Sequence, residues 1–398
     1  MQYKIPYYYR QFSCAGSACP DTCCGGWRIQ IDEKSYRNYM QVPGAFGARL
    51  RKGIDRKDRS FRLRNRACTL LDQEGLCRIY KELGKDAMCR ACRIYPRHRE
   101  DYGQVQELML SLSCPEAARL ILEDTAQGAF LEWTRQENPS VSQETDPVCD
   151  PELLRCLEEV RLTMVCLVKD RSMDWSQRLA MILAYAHDFQ RHLYLEGTEA
   201  DVSGLAEQRN RRYLDGEAVS AFREKLEPYE GRSRERMLRI SGWMRDMQKL
   251  EPVLADWEKK QGSICTALYH KETPDSYERL ERQFAGEAAG LEQAWENLAL
   301  YFLRTWLLGA VYDRDVYGKV KLVVVSCLVI REWCLFRYRK TGQIRQEDLV
   351  AAAYRYSRQV ENWDRNLGML EYRLGTSPLY ALASMLTVLW GGKGKHGD

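Results

Sequence analysis

Nine of the fifteen cysteines fall between residues 14 and 114: Cys14, Cys19, Cys23, Cys24, Cys68, Cys77, Cys89, Cys92 and Cys114. The layout is Cys14-x4-Cys19-x3-Cys23-Cys24, then Cys68-x8-Cys77, then Cys89-x2-Cys92, then Cys114. Thiolates bind soft or borderline ions, and tetrahedral sulfur sites hold zinc or an iron–sulfur cluster. Closely spaced pairs let one turn present two sulfurs to one ion. Distant pairs meet only through folding, so binding the ion stabilises the fold. Either kind of centre takes about four protein ligands. Nine thiols exceed that, which leaves two sites, or one site with thiol neighbours that do not ligate. The spacing does not choose between structural zinc and an iron–sulfur cluster. A lone buried cysteine is ordinary core material, but so dense a group is not.

The compartment bears on the same question. The N-terminal stretch "MQYKIPYYYRQFSC" has no apolar run of the signal-peptide kind. The longest apolar runs are "LALYFLRTWLLGAVY" and "VKLVVVSCLVI". Arg304 interrupts the first and the second is too short to span a bilayer, so a cytoplasmic protein with no membrane role is expected. Thiols stay reduced there, which argues for metal or redox chemistry over disulfides. Formal net charge is +4 with both signs interspersed, which gives no sign of a nucleic-acid partner. The basic stretch "RLRKGIDRKDRSFRLRNR" (49–66) reads first as a solvated loop. Its functional alternative is to balance thiolate charge or to receive an acidic protein surface. Few aromatics interleave it, which argues against a nucleic-acid groove.

These residues are carried by elements of two kinds. Over residues 1–125 short pieces alternate. A helix is expected at 32–40 with Asp32 as N-cap, a strand at 60–66, a turn at Gly75, a strand within 103–114, and a helix opened by Pro115. Residues 126–150 are polar and read as a linker. From 151 to 398 apolar residues recur at helical spacing, as in Leu153, Leu157, Val160, Met164 and Leu167, or Leu349, Ala353, Tyr356, Val360 and Trp363. Further helices are expected at 217–226, 232–250, 275–311, 316–339 and 376–390, with a frayed tail at 391–398. The fold class is therefore mainly α: an irregular cysteine-rich N-terminal domain (1–125) with a few short strands, a linker (126–150), and a larger all-helical domain (151–398) suited to holding a protein substrate.

Three segments, "FSCAGSACPDTCCGGWRIQIDEKSYRNY", "CTLLDQEGLCRIYKELGKDAMCRACRIYPR" and "LSLSCPEAARLIL", occur in that order. Together they resemble the flagellin lysine-N-methylases, and the front section is also similar to a wider set of zinc- or iron-chelating cysteine-cluster proteins. The resemblance covers residues 3–125, with length and helical character beyond. It implies methyl transfer from S-adenosylmethionine to lysine side chains of flagellin, and a 4Fe-4S cluster held by the nine N-terminal cysteines. Among them Cys19, Cys23, Cys24 and Cys89 are the favoured ligands. Two other functions fit the residues alone: a non-catalytic interaction module stapled by zinc, and an iron–sulfur redox protein.

The chemistry implied makes demands. A lysine ammonium has no lone pair, so the amine must lose its proton by desolvation or to a nearby base. A cationic methyl donor favours aromatic and carboxylate neighbours. Tyr7, Tyr8, Tyr9, Trp27, Asp32 and Tyr36 are available, although a tyrosine run is more often packing. No glycine-rich loop follows a strand, and no Cys-x3-Cys-x2-Cys run occurs, so the donor site and the catalytic base stay unassigned. His98 is expected to be exposed, and His187 and His192 lack the spacing of a metal pair. Cys327 and Cys334 are seven apart on a predicted helix, about 10.5 Å along its axis, and read as core.

Overall fold

The computed structural model describes residues 1–126, 129–134, 149–195 and 202–393. From the N-terminus come β1 (Gln2–Pro6), α1 (Glu33–Gln41), α2 (Gly44–Lys52), and four two-residue strands: β2 (Ile54–Asp55), β3 (Ser60–Phe61), β4 (Leu63–Arg64) and β5 (Ala67–Cys68). Then follow α3 (Arg78–Leu83), α4 (Arg90–Ile94), β6 (Arg97–Asp101), β7 (Val105–Leu110), α5 (Pro115–Leu122) and β8 (Phe130–Thr134). The helical remainder runs α6 (Pro151–Lys169), α7 (Trp175–Leu195), α8 (Val202–Leu214), α9 (Gly216–Leu226), α10 (Ser233–Gln248), α11 (Trp257–Cys265) and α12 (Pro274–Ala288). It closes with α13 (Glu292–Trp306), α14 (Ala310–Asp313), α15 (Val316–Thr341), α16 (Gln346–Val360), α17 (Asp364–Thr376) and α18 (Leu382–Trp390). The protein is mainly α, with its few short strands near the N-terminus, as the sequence patterns indicate.

Local chemistry explains most boundaries. Asp32 caps α1 by accepting from the Ser35 amide at 3.0 Å. Asp150 caps α6, with Pro151 in its first turn. At the expected turn Gly75 has a φ of 75°, and Asp72 gathers the amides of Glu74 and Leu76. The strand expected over 60–66 is two strands. β3 pairs with β2 and β4 with β5, and Asn65 and Arg66 turn the chain with φ of 50° and 62°. The helix expected over 275–311 is broken at the turn Ala289–Leu291, where Gly290 lowers helix propensity.

Packing divides the chain differently from composition. The sheet order is β6-β7-β1-β8, with β1 parallel to β7 and antiparallel to β8. Tyr3 on β1 stacks on Trp133 of β8 at 5.2 Å between ring centroids. Thus Phe130–Thr134, within the segment read as linker, is a sheet strand, while 127–128 and 135–148 of that segment lie outside the described residues. The sheet and α5 share one large core with the helices, from Tyr8, Met109 and Leu120 through to Trp390. Glu107 on β7 is fully buried and holds Arg161 of α6 by two hydrogen bonds, one of 2.8 Å. α15 runs through this core with "VVVSCLVI" (323–330) buried all round, the pattern of a central helix. Cys327 and Cys334 are buried in it, as expected of core thiols. A second, smaller cluster lies between Cys24 and Cys89 and includes Ile29, Ile31, Tyr39, Phe61, Leu70 and Ile79. No helix among the described residues is long and apolar enough to cross a membrane.

Candidate functional site

Five of the nine cysteines line one small pocket in the second cluster: Cys24, Cys68, Cys77, Cys89 and Cys92. Its remaining walls are apolar, from Ile29, Phe61, Leu70, Ile79 and Met88. Short elements bring the sulfurs together. Cys24 and Cys68 are joined by a backbone hydrogen bond of 2.8 Å, and Leu71 bridges Cys77. Cys77 and Cys89 immediately precede α3 and α4. Asp32 ties this part together, since its second oxygen accepts from the Arg90 amide at 2.7 Å, beside Cys89. Burial opposes its charge, yet the Arg90 and Ser35 amides prevail and hold its carboxyl below the usual range. The Tyr39 hydroxyl donates to Ala87 O at 2.8 Å and fixes the approach to Cys89.

The other four cysteines form a second neighbourhood. Cys19 lies near Cys14 and Cys23, and Cys114 near Cys19 and Cys23. The two groups meet where Cys23 Sγ lies 4.0 Å from Cys24 Sγ. The favoured set Cys19, Cys23, Cys24 and Cys89 is therefore divided, with Cys24 and Cys89 at the pocket and Cys19 and Cys23 in the second group.

Electrostatics further sort the thiols. A hydrogen bond from Cys24 pulls the Cys23 thiol down to about 7 and pushes that of Cys24 up. In the same way Cys92 lowers Cys89 and is itself raised. Burial lifts Cys68 and Cys114 to about 11, and lifts Cys77 and Cys19. The first-turn amides of α3 work the other way on Cys77, as helix N-termini do, without outweighing burial. Crowded, water-poor thiols favour the neutral form until a cation arrives, and a bound metal would reverse that preference. Among the described residues, no three Cys, His, Asp or Glu side chains converge closely enough to hold a metal ion as they stand. The donor set nevertheless fits a thiophilic centre in kind, with five sulfurs, one more than such a centre takes, lining one apolar-walled space.

The thiol loop docks on the helical part. Gly26, at a φ of 88°, packs so tightly that a Cβ there would lie 2.5 Å from Val253 O. Arg358 of α16 donates to Thr22 O at 3.0 Å and to Ser113 O at 3.2 Å, and pairs with Asp21 at 2.8 Å. It thereby joins the loops that carry Cys23 and Cys114.

Residues 161–388 match the model of the FliB lysine N-methylase C-terminal domain, more than half of the chain. The chain belongs to the FliB lysine N-methylase family. The chain is also 34% identical over 130 residues to the flagellar biosynthetic protein FliU of Salmonella muenchen, covering 30% of this chain and 76% of that protein. It is 33% identical over 140 residues to the lysine-N-methylases of Salmonella typhimurium and Salmonella choleraesuis, covering 32% of this chain and 34% of each relative. The matched stretch is thus about a third of the length of those two methylases. No solved structure matches the chain.

The FliB match lies where helical periodicity was the only sequence signal. Of the other residues weighed, Tyr8 is core and its hydroxyl is held protonated by burial. His98 is half-buried in β6 opposite Met109, not exposed, and burial pushes it down to about 4. His192 packs against Arg209. In the basic stretch Arg51 and Arg62 donate to the carbonyls of Val42 and Ile54. Sequence reasoning passed over Arg358, Glu361 and Tyr301, because one arginine and one glutamate on an amphipathic helix carry no spacing signature.

Proposed function

We propose that this protein methylates lysine side chains of flagellin in the bacterial cytoplasm, with S-adenosylmethionine as donor and an iron–sulfur cluster, of the 4Fe-4S type, in the thiol pocket. The observation that carries the reading is the match of residues 161–388 to the FliB methylase domain, alongside relatives named lysine-N-methylase. Support for the flagellar substrate comes from the name of the FliU relative.

Methyl transfer to an amine is a displacement at carbon. The ε-amine lone pair forms the N–C bond as the methyl–sulfur bond breaks, sulfur keeps that electron pair, and the ammonium proton has to leave. Positioning and desolvation of the amine carry much of such a rate. Four of the five thiols Cys24, Cys68, Cys77, Cys89 and Cys92 would hold the cluster in a seat shielded by Phe61 and Ile29. A cluster in that place would supply rigid cross-linking of the short elements that carry the thiols. Arg358, through Thr22 and Ser113, ties the thiol-bearing loops to the helices and would carry that rigidity to them. The test is incubation of anaerobically purified protein with flagellin and S-adenosylmethionine, followed by mass spectrometry. Methylated lysines on flagellin are expected; unmodified flagellin beside fully cluster-loaded protein would overturn the reading.

A further inference from the structure

Two of the pocket thiols stand one turn apart at the start of α4. Cys89 is its N-cap and Cys92 its third residue, and both line the pocket. Their side chains are hydrogen-bonded to each other. Neighbouring contacts fix this turn. The Arg93 amide donates to Cys89 O at 2.9 Å, Asp32 accepts from the Arg90 amide at 2.7 Å, and Cys89 Sγ lies 3.9 Å from Gln30 O. A Cys-x2-Cys pair so placed can close into a disulfide with little backbone movement. Cys23 and Cys24 are also close, at 4.0 Å, but a bond between consecutive residues closes a strained eight-membered ring.

Access differs within the pair. Cys89 is 1% exposed, whereas Cys92 is half-buried. A disulfide oxidant from solution therefore meets Cys92 first. With glutathione disulfide, the Cys92 thiolate attacks one sulfur, the sulfur–sulfur bond breaks, and one glutathione leaves as a thiol. Cys89 then attacks the Cys92 sulfur and expels the second glutathione. Two cysteine thiols are oxidised, one glutathione disulfide is reduced, and the two cysteine protons end on the two glutathiones.

The count of sulfurs gives this bond its consequence. Five line the pocket, and a zinc or iron–sulfur centre takes about four. A disulfide sulfur is no longer a thiolate, so a Cys89–Cys92 bond leaves Cys24, Cys68 and Cys77, one ligand too few. Conversely, any four of the five include Cys89 or Cys92, so a bound centre withholds at least one partner of the bond.

We propose that Cys89 and Cys92 form a redox lock on the pocket: oxidised to a disulfide they bar metal from entering, and metal already in place keeps them apart. This rests on the reading of the thiol pocket as a metal seat.

The experiment uses the full chain, reduced and stripped of metal by a chelator without oxygen. Untreated protein and protein treated with glutathione disulfide are titrated with cobalt(II), read by its thiolate charge-transfer absorbance. Thiols are alkylated before and after reduction and mapped by mass spectrometry. Cys89 and Cys92 are expected to oxidise together, cobalt uptake to be lost in proportion, and dithiothreitol to restore it. Protein loaded with cobalt beforehand should resist the oxidant at this pair. Oxidation confined to other cysteines, or full cobalt uptake with the Cys89–Cys92 bond formed, would overturn the lock and leave the metal reading standing. Reduced protein that takes up no cobalt would overturn the metal reading itself, and the lock with it.

Discussion

Phe61 and Phe302 are both buried, at 2% and 0% exposed, yet they stand in cores of different kinds. Phe302 lies on a four-turn helix, stacked on Trp306 at 4.6 Å and edge-on to Tyr356 at 6.0 Å, inside a core that runs from the sheet to the last helix. Phe61 sits on a two-residue strand, against Tyr39 at 6.0 Å, in the small cluster around the thiol pocket. The large core joins long helices and is reinforced inside by ion pairs and by Glu332, which accepts from the Tyr269 and Tyr277 hydroxyls. The small one has short elements and spends many of its interior positions on sulfur. Small units with few apolar residues gain little from packing, and bound metal is a common way to hold such units together. The long helices pack into one continuous core, while the thiol unit is a small cluster docked on them through Gly26 and Arg358.

The largest expected effect measures how firmly sheet and helices are joined. Arg161→Ala leaves the Glu107 carboxylate buried and unpaired, so urea denaturation should show a loss of ~3–5 kcal/mol. A loss under ~1 kcal/mol would mean that this junction is wet and the large core less continuous than described. Next comes the direct contrast. Phe61→Ala and Phe302→Ala should each cost ~3–5 kcal/mol, but only the first should empty the pocket of metal. Equal metal content in the two variants would break the comparison.

A smaller effect tests the junction between the units. Glu361 is half-buried as a residue, but its carboxyl is enclosed, and burial raises it from 4.5 to about 7. The folded protein therefore holds this proton more tightly than the unfolded chain does. The stability from this group is present in full below the unfolded value and is lost as pH rises through about 7. Ligand-free protein should lose up to ~3 kcal/mol between about pH 5 and pH 8 that Glu361→Gln retains. Parallel stability curves for the two proteins would show the carboxyl to be solvated. The smallest change belongs to the thiol unit. Asp32→Ala removes the cap of α1 and the partner of the Arg90 amide, and should lower stability by ~1 kcal/mol. No shift in the melting curve would mean that other contacts hold α1 and Cys89 in place.

Legibility in the sequence follows the same division. Caps and turns at Asp32, Gly75 and Pro115 are read directly, because each rests on the chemistry of one or two residues. The long helices are read from spacing, but α8, α11 and α17 are not, since their apolar faces are short or interrupted. Pairing between distant segments is hidden. Nothing local says that β1 lies between β7 and β8, or that Cys114 belongs to the large core while Cys68 lines the pocket. The nine thiols are visible as a set, and only folding divides them at Cys23 and Cys24. Arg358 becomes conspicuous only through what surrounds it, the loops of Thr22 and Ser113 and the carboxylate of Asp21.

The most direct test of the thiol unit's role is the iron, zinc and acid-labile sulfide content of protein purified without oxygen, for the unaltered chain, Cys68→Ala, Cys77→Ala and Cys14→Ala. Iron and sulfide in matching stoichiometric amounts are predicted for the unaltered chain and Cys14→Ala, with marked loss in the two pocket variants. Zinc without sulfide, or iron retained by the pocket variants and lost from Cys14→Ala, would contradict the account.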